Sequence, residues 1–343
     1  RTHFPKLLSF YSKKAISSCL RAYGTRLNKE LDVPTFCDIH VDLPYSVNVK
    51  PLNVHKYHNC DKLIIQQEGE LLEDTLNCYV DGNHVQIEDV GKNDTSVVCN
   101  IRAPVKANLY IRSSKDISVG CFNGDKIYLT SYGGNIFLGK YQGNCVKLVT
   151  NLGNITLSEF VLASSIEASV SENGSISCGK LQGSKLKLKT ANGNITVESS
   201  YCDQSEFEIG KGNLDLCNAH KSCEIFLKDG EMNLTCFDGK LSSVLEKGSA
   251  SIHLSRISDD SQIIIKDGSL ALKLSESCQE YSKFMIKSND CDIGFDSNIS
   301  TQGGISLIPK IQEESKVVVD CQKGRVSVES VSWQEIMKQT LKK

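Results

Sequence analysis

A three-residue phrase, Gly-Asn-Ile or a close variant, returns every 18 to 21 residues from Gly134 to Leu270. It reads Gly134-Asn135-Ile136, Gly153-Asn154-Ile155, Gly174-Ser175-Ile176, Gly193-Asn194-Ile195 and Gly212-Asn213-Leu214. It then weakens to Gly230-Glu231-Met232, Gly248-Ser249-Ala250 and Gly268-Ser269-Leu270. A period of about 20 residues belongs to stacked coils, because so short a unit cannot bury a core without its neighbours.

Each phrase opens an alternating strand with inward residues such as Ile136 and Leu138, Ile155 and Leu157, or Ile195 and Val197. A second alternating strand lies between successive phrases. Its inward pairs begin Ile127 and Leu129, Val146 and Leu148, Ile166 and Ala168, Leu186 and Leu188, Phe207 and Ile209. They continue through Ile225 and Leu227, Val244, Ile263 and Ile265, Phe284 and Ile286 to Val317 and Val319. Both rows keep one period. Parallel pairing from coil to coil, about 4.8 Å apart, satisfies both. The expected architecture is an all-β solenoid of about ten coils. Gly would supply positive φ at each corner. Asn135, Asn154, Asn194 and Asn213 would form a ladder of side chains, with Ser175 interrupting it. A β-propeller competes, but its blades need about 40 residues. A 40-residue echo is present in Tyr141-Gln142-Gly143 and Leu181-Gln182-Gly183, but the shorter phrase is the stronger signal.

The flanks differ. Residues 1–29 carry seven basic residues and no acid, leaving the remaining chain with a net charge of -9. Residues 1–32 therefore read as a basic, Ser-rich, transit-like presequence, disordered or helical, which points to mitochondria. A basic tail and a membrane-surface helix are the alternatives. No continuous apolar core of a secretory signal is present, and no run of 18 apolar residues would span a membrane. The acidic body argues against nucleic acid as a partner. Residues 36–113 read as a β-rich N-terminal cap, with a hairpin turn at Asp81-Gly82-Asn83. Residues 114–330 form the repeat domain. In 331–343, Trp333, Ile336, Met337 and Leu341 fall on one face of an amphipathic helix.

The 15 cysteines are odd in number and contain no CxxC, so free thiols in a reducing compartment are expected. Six Asn-x-Ser/Thr sequons begin at Asn93, Asn154, Asn173, Asn194, Asn233 and Asn298. Glycans on corner asparagines would disrupt the ladder, which favours a protein that is not secreted.

No catalytic, cofactor-binding or metal site emerges. His55, His58 and Cys60 are close in sequence but match no zinc spacing, and a polar loop accounts for them. The outward row of the phrase strands (Phe137, Thr156, Ser177, Thr196, Asp215, Asn233, Ser251, Ala271) holds one carboxylate, which is not an acid/base pair. The outward row of the second strands alternates charge: Tyr128, Lys147, Glu167, Lys187, Glu208. It then becomes apolar at Phe226, Leu245, Ile264, Met285 and Val318. A contiguous apolar stripe has a partner. The expected cover is the C-terminal helix with Trp333, Ile336, Met337 and Leu341; a second copy or another protein is the alternative.

The tandem coils, with Gly153-Asn154-Ile155-Thr156 and Gly193-Asn194-Ile195-Thr196 as their clearest marks, resemble the putative-adhesin β-solenoid family of unknown function. The animal branch, called family with sequence similarity 185 member A, looks closest. The resemblance covers residues 116–328. It implies a right-handed solenoid and supplies no catalytic residues. The resulting expectation is a non-enzymatic scaffold or protein-interaction protein located in mitochondria, a monomer or a homodimer, with a protein partner. A surface adhesin and a solenoid carbohydrate-active enzyme are the alternatives.

Overall fold

The computed structural model describes residues 26–69, 75–91, 97–296, 298–300 and 304–332. Among these, strands dominate and a single short helix, Glu276–Tyr281, interrupts them. Through the middle of the chain each strand pairs in parallel with its counterpart one repeat later. Ile127 registers with Val146, Val146 with Ile166 and Ile166 with Leu186. In the phrase strands Ile117, Ile136, Ile155, Ile176, Ile195, Leu214 and Met232 register one above another. All seven are buried. Burying each such side chain contributes about 1.5–3 kcal/mol, so the stacked rows form the core.

A third row runs beside these two in the middle of the chain. Phe122 bridges to Tyr141, and Tyr141, Val161, Leu181, Ser200 and Ala219 follow in parallel register. All six are buried. These pairings are too short to show a period-two pattern. The Tyr141 and Leu181 phrases of the sequence belong to this row.

The corner ladder differs from the one expected. The Asn side chains do not bond to one another along the stack; each accepts the backbone N–H of the next corner residue. Asn135 Oδ1 accepts from Asn154 N at 2.8 Å, and Asn154 Oδ1 from Ser175 N at 2.8 Å. Ser175 Oγ then accepts from Asn194 N at 3.0 Å, so the serine continues the ladder. The beside-lying glycines stack without side chains. A Cβ on Gly268 (φ +147°) would collide with the Gly248 carbonyl oxygen.

Chain order and stacking order part company at both ends. Asp38–Leu43 lies between His84–Asp89 and Asn108–Ser113, parallel to both. Ser46–Pro51 lies likewise between Val98–Ala103 and Ile117–Val119. At the other end the sequence suggested that Phe284 and Ile286 follow Ile263 and Ile265, with Val317 last. Instead Ser315–Ser330 pairs with Ser261–Leu274 on one side and Ser282–Ile293 on the other. The helix explains the skip. Ser275 caps it, its Oγ accepting from Cys278 N at 3.2 Å. The helix carries the chain past one layer, and the last strand fills the gap. Gln279 Nε2 donates to Ser330 Oγ at 2.7 Å, and Ser282 and Ser315 hydroxyls meet at 2.9 Å.

Antiparallel strands cover the ends. Arg26–Asp32 pairs with Lys62–Glu68, which pairs with Val98–Ala103. Residues 26–32, assigned from sequence to the presequence, are thus a strand of the fold. Leu76–Asp81 and His84–Asp89 form a hairpin through Gly82 (φ +57°). At the far end Asn298–Ser300 and Ile305–Ile308 are antiparallel, the second also pairing with Ser282–Ile293. Of the helix expected at 331–343, Val331 and Ser332 are described and are not helical, Val331 N donating to Leu274 O at 3.0 Å. Residues 333–343 and residues 1–25 of the presequence lie outside the described residues.

Candidate functional site

The second strands of successive coils present one outward face, and its chemistry changes along the stack. In the middle, Lys147 pairs with Glu167 at 3.2 Å, Lys187 with Glu206 at 2.6 Å and Lys189 with Glu208 at 2.8 Å. The expected neighbour of Lys187 was Glu208. The register places Glu206 there and Glu208 beside Lys189, a slip of two residues. The Glu206 carboxylate holds the Lys187 ammonium above its ordinary pKa. These pairs are solvent-exposed and specify register more than they stabilise.

Towards the C-terminal coils the face turns apolar. Phe226 is 40% exposed; Val244, Ile264, Met285 and Val318 are half-buried. Leu245, assigned from sequence to this stripe, is buried in the core, and Val244 takes its outward place. The cause is Ser243, a serine at an inward position with its Oγ unpartnered, which inverts the local hydropathy pattern. Val244 registers with Ile264. The stripe then steps by two residues, because Val318 registers with Gln262 and Met285 with Val318. Trp333, Ile336, Met337 and Leu341 lie outside the described residues.

Towards the N-terminal coils the same face carries rings. His40 registers with Tyr110, and Tyr110 with Tyr128. The His40 and Tyr110 rings stack 4.4 Å apart and within 4° of parallel, while Tyr128 stands at 86° to Tyr110. Asp42, Arg112 and Thr130 occupy the next outward positions on the same three strands. A groove of about 400 Å³ runs between the two rows and ends at Lys147. Tyr128 was already in the outward row read from sequence. His40 was not, since 70 residues separate it from Tyr110 and only the inserted first coil brings them together.

The remaining sequence candidates resolve locally. His55, His58 and Cys60 sit in a turn where His55 N donates to Asn53 Oδ1 at 3.0 Å and Cys60 Sγ to Tyr57 O at 3.5 Å. Among the described residues no group of three His, Cys, Asp or Glu side chains is arranged to hold a metal. The phrase-strand carboxylate, Asp215, accepts from Asn233 Nδ2 at 3.0 Å. Leaving Cys78 aside, the described cysteines are free thiols. Burial raises the Cys37 thiol to about 12 and that of Cys202 to about 11. Asn154 and Asn194 use Oδ1 in the ladder, while a glycan attaches to Nδ2. The ladder bonds therefore do not engage the atoms to which a glycan would attach at these two residues. His253, which no sequence pattern marked, is buried; its Nδ1 accepts from Cys236 N at 3.2 Å and its Nε2 has no partner.

The stacked register and the glycine corners agree with a comparison against family models, in which Toastrack DUF4097 matches residues 46–329. The chain belongs to the Toastrack DUF4097 family. The toastrack match takes in the interleaved strand Ser46–Pro51 at one end and nearly all of Ser315–Ser330 at the other. No curated protein matches this chain. Among solved structures it is similar to a putative adhesin from Parabacteroides distasonis, with 12% identity and a TM-score of 0.41, covering 90% of this chain and 98% of that one. A putative adhesin from Parabacteroides merdae gives 12% identity and a TM-score of 0.41, covering 90% and 97%. A putative lipid binding protein from Parabacteroides distasonis gives 12% identity and a TM-score of 0.31, covering 90% and 97%. Likeness at this level carries no functional information. No helix among the described residues is long and apolar enough to cross a membrane.

Proposed function

We propose that this toastrack chain is a non-enzymatic, right-handed β-solenoid scaffold that binds a protein partner through its outward apolar stripe. The observation that supports this reading is the run of Phe226, Val244, Ile264, Val318 and Met285 on one sheet face. A contiguous exposed patch of this kind is costly in water unless covered. We assign the cover in the isolated chain to Trp333, Ile336, Met337 and Leu341, on the strength of their amphipathic spacing in the sequence.

The test is truncation after Ser332, compared with the full chain by light scattering and thermal melting. The truncated chain is expected to self-associate, and Phe226→Ser with Ile264→Ser should restore the monomer. A truncated chain that stays monomeric and equally stable overturns the cover.

Location separates two versions of this role. The mitochondrial version rests on the basic, acid-free composition of residues 1–29. The surface version, an adhesin-like protein, is compatible with Asn154 and Asn194, whose Nδ2 atoms the ladder bonds do not engage. Mass spectrometry of the mature N-terminus after cell fractionation distinguishes them. The narrower kinship with the animal branch is part of the same proposal and rests on the two Gly-Asn-Ile-Thr phrases.

A further inference from the structure

We propose that the groove between His40, Tyr110 and Tyr128 on one side and Asp42, Arg112 and Thr130 on the other binds a neutral oligosaccharide. The argument begins with what the groove offers. Its floor is backbone, and every strand beneath it pairs on both sides. His84–Asp89 pairs with Leu76–Asp81 and Asp38–Leu43; Lys126–Ser131 pairs with Asn108–Ser113 and Cys145–Leu152. Main-chain groups are thus already used, and an extended peptide cannot add to this sheet as a strand. Recognition falls to side chains.

Those side chains are aromatic on one wall and hydrogen-bonding on the other. His40 stacks on Tyr110, and Tyr128 lies crosswise to that stack. A ring fixed in this way offers a large contact area at low entropic cost. Opposite it, Asp42 and Arg112 are exposed neighbours in register, and neither is held in an ion pair among the described residues. A carboxylate accepts two or more hydrogen bonds, and a guanidinium donates through a planar fork. Adjacent hydroxyl groups on a sugar ring match both, while the apolar face of the ring suits an aromatic wall.

Charge decides against the other classes. Asp42 offsets Arg112, and Lys147 at the end of the groove is neutralised by Glu167. A nucleic acid or other polyanion needs an excess of cations that the groove lacks. A cationic ligand likewise finds no excess of carboxylates, since Arg112 offsets Asp42 and Lys147 offsets Glu167. A purely apolar ligand would strip water from Asp42, Arg112 and Gln86 without replacing their hydrogen bonds. The groove crosses five strands, His84–Asp89 to Cys145–Leu152, a length of roughly 19 Å at the usual strand spacing. That length accommodates several sugar rings in a row.

The test uses the full chain on an array of immobilised neutral gluco-, galacto-, manno- and chito-oligosaccharides, with sulfated and sialylated counterparts. Binding to at least one neutral series is expected, and titration calorimetry with that oligosaccharide gives its Kd. Tyr128→Ala and Arg112→Ala should each weaken binding at least tenfold. Tyr128→Phe, which keeps the ring, should stay within threefold, and so should Lys189→Ala, farther along the same face. Thermal melting confirms that each variant is folded. Binding to no neutral probe, binding to the charged probes alone, or equal loss in Tyr128→Ala and Lys189→Ala overturns the proposal. None of these outcomes bears on the apolar stripe.

Discussion

The Ser175 hydroxyl accepts the backbone N–H of Asn194 at 3.0 Å, doing in one coil what Asn154 and Asn194 carboxamides do in theirs. The corner therefore requires an acceptor of the right reach and not an asparagine as such. Ser175→Ala leaves the Asn194 N–H without this partner. It should lower stability by about 0.5–1.5 kcal/mol, the low end applying if water replaces the hydroxyl. Ser175→Asn should restore or exceed the parent. Urea denaturation of the three proteins checks this, and an alanine variant as stable as the parent would show that the ladder contributes nothing.

Gly268 carries a sharper requirement. Its φ is +147°, and the Gly248 carbonyl occupies the space a Cβ would need. Backbone cannot yield as a side-chain tip can. Gly268→Ala should cost on the order of 3 kcal/mol or more, combining strain with overpacking. Gly82→Ala, where nothing lies within contact of a Cβ although φ is +57°, should cost only about 1 kcal/mol. Thermal melts that ranked the two equally would refute the close approach.

His253 should make the fold sensitive to acid. Burial, with a smaller contribution from Lys273, lowers its pKa below the ordinary value. Above about pH 6.5 the imidazole is neutral in both the folded and unfolded chain, and its contribution to stability is fully present. As pH falls through that value the unfolded chain gains a proton that the folded chain resists, so stability declines until the folded pKa is passed. His253→Gln retains an acceptor for Cys236 N–H and removes the titration. Urea melts at pH 5.5 and 7.5 should show a smaller loss in the variant. If parent and variant lose stability equally, another group carries the acid sensitivity.

Much of this architecture is legible in the residues themselves, for reasons that can be named. The Gly corners and inward Ile and Leu positions recur because each repeat solves the same packing problem, and alternation holds over most of each long strand, breaking at places such as Cys178-Gly179 and Ser199-Ser200. The third row escaped notice because Phe122, Tyr141, Val161 and Leu181 sit in pairings of two or three residues, too few for periodicity. Leu245 was misplaced because Ser243 points inward against its polarity. Of the candidate surfaces, the apolar stripe was largely readable, since Phe226, Ile264, Met285 and Val318 do face outward. The ring-lined groove was not, because local sequence gives no sign that residues 38–43 slide between two later strands.

That insertion, mirrored at the other end, has a consequence for how the protein is made. A ribosome delivers residues 315–330 after both strands that flank them. Until then Ser261–Leu274 and Ser282–Ile293 each present an unsatisfied sheet edge, and no earlier segment takes the place. An incomplete product is thus marked by exposed strand edges, the form that chaperones and proteases recognise and that aggregates most readily. Residues 315–330 act as a closing pin, and a chain that has them differs from one that does not in a way the cell can detect.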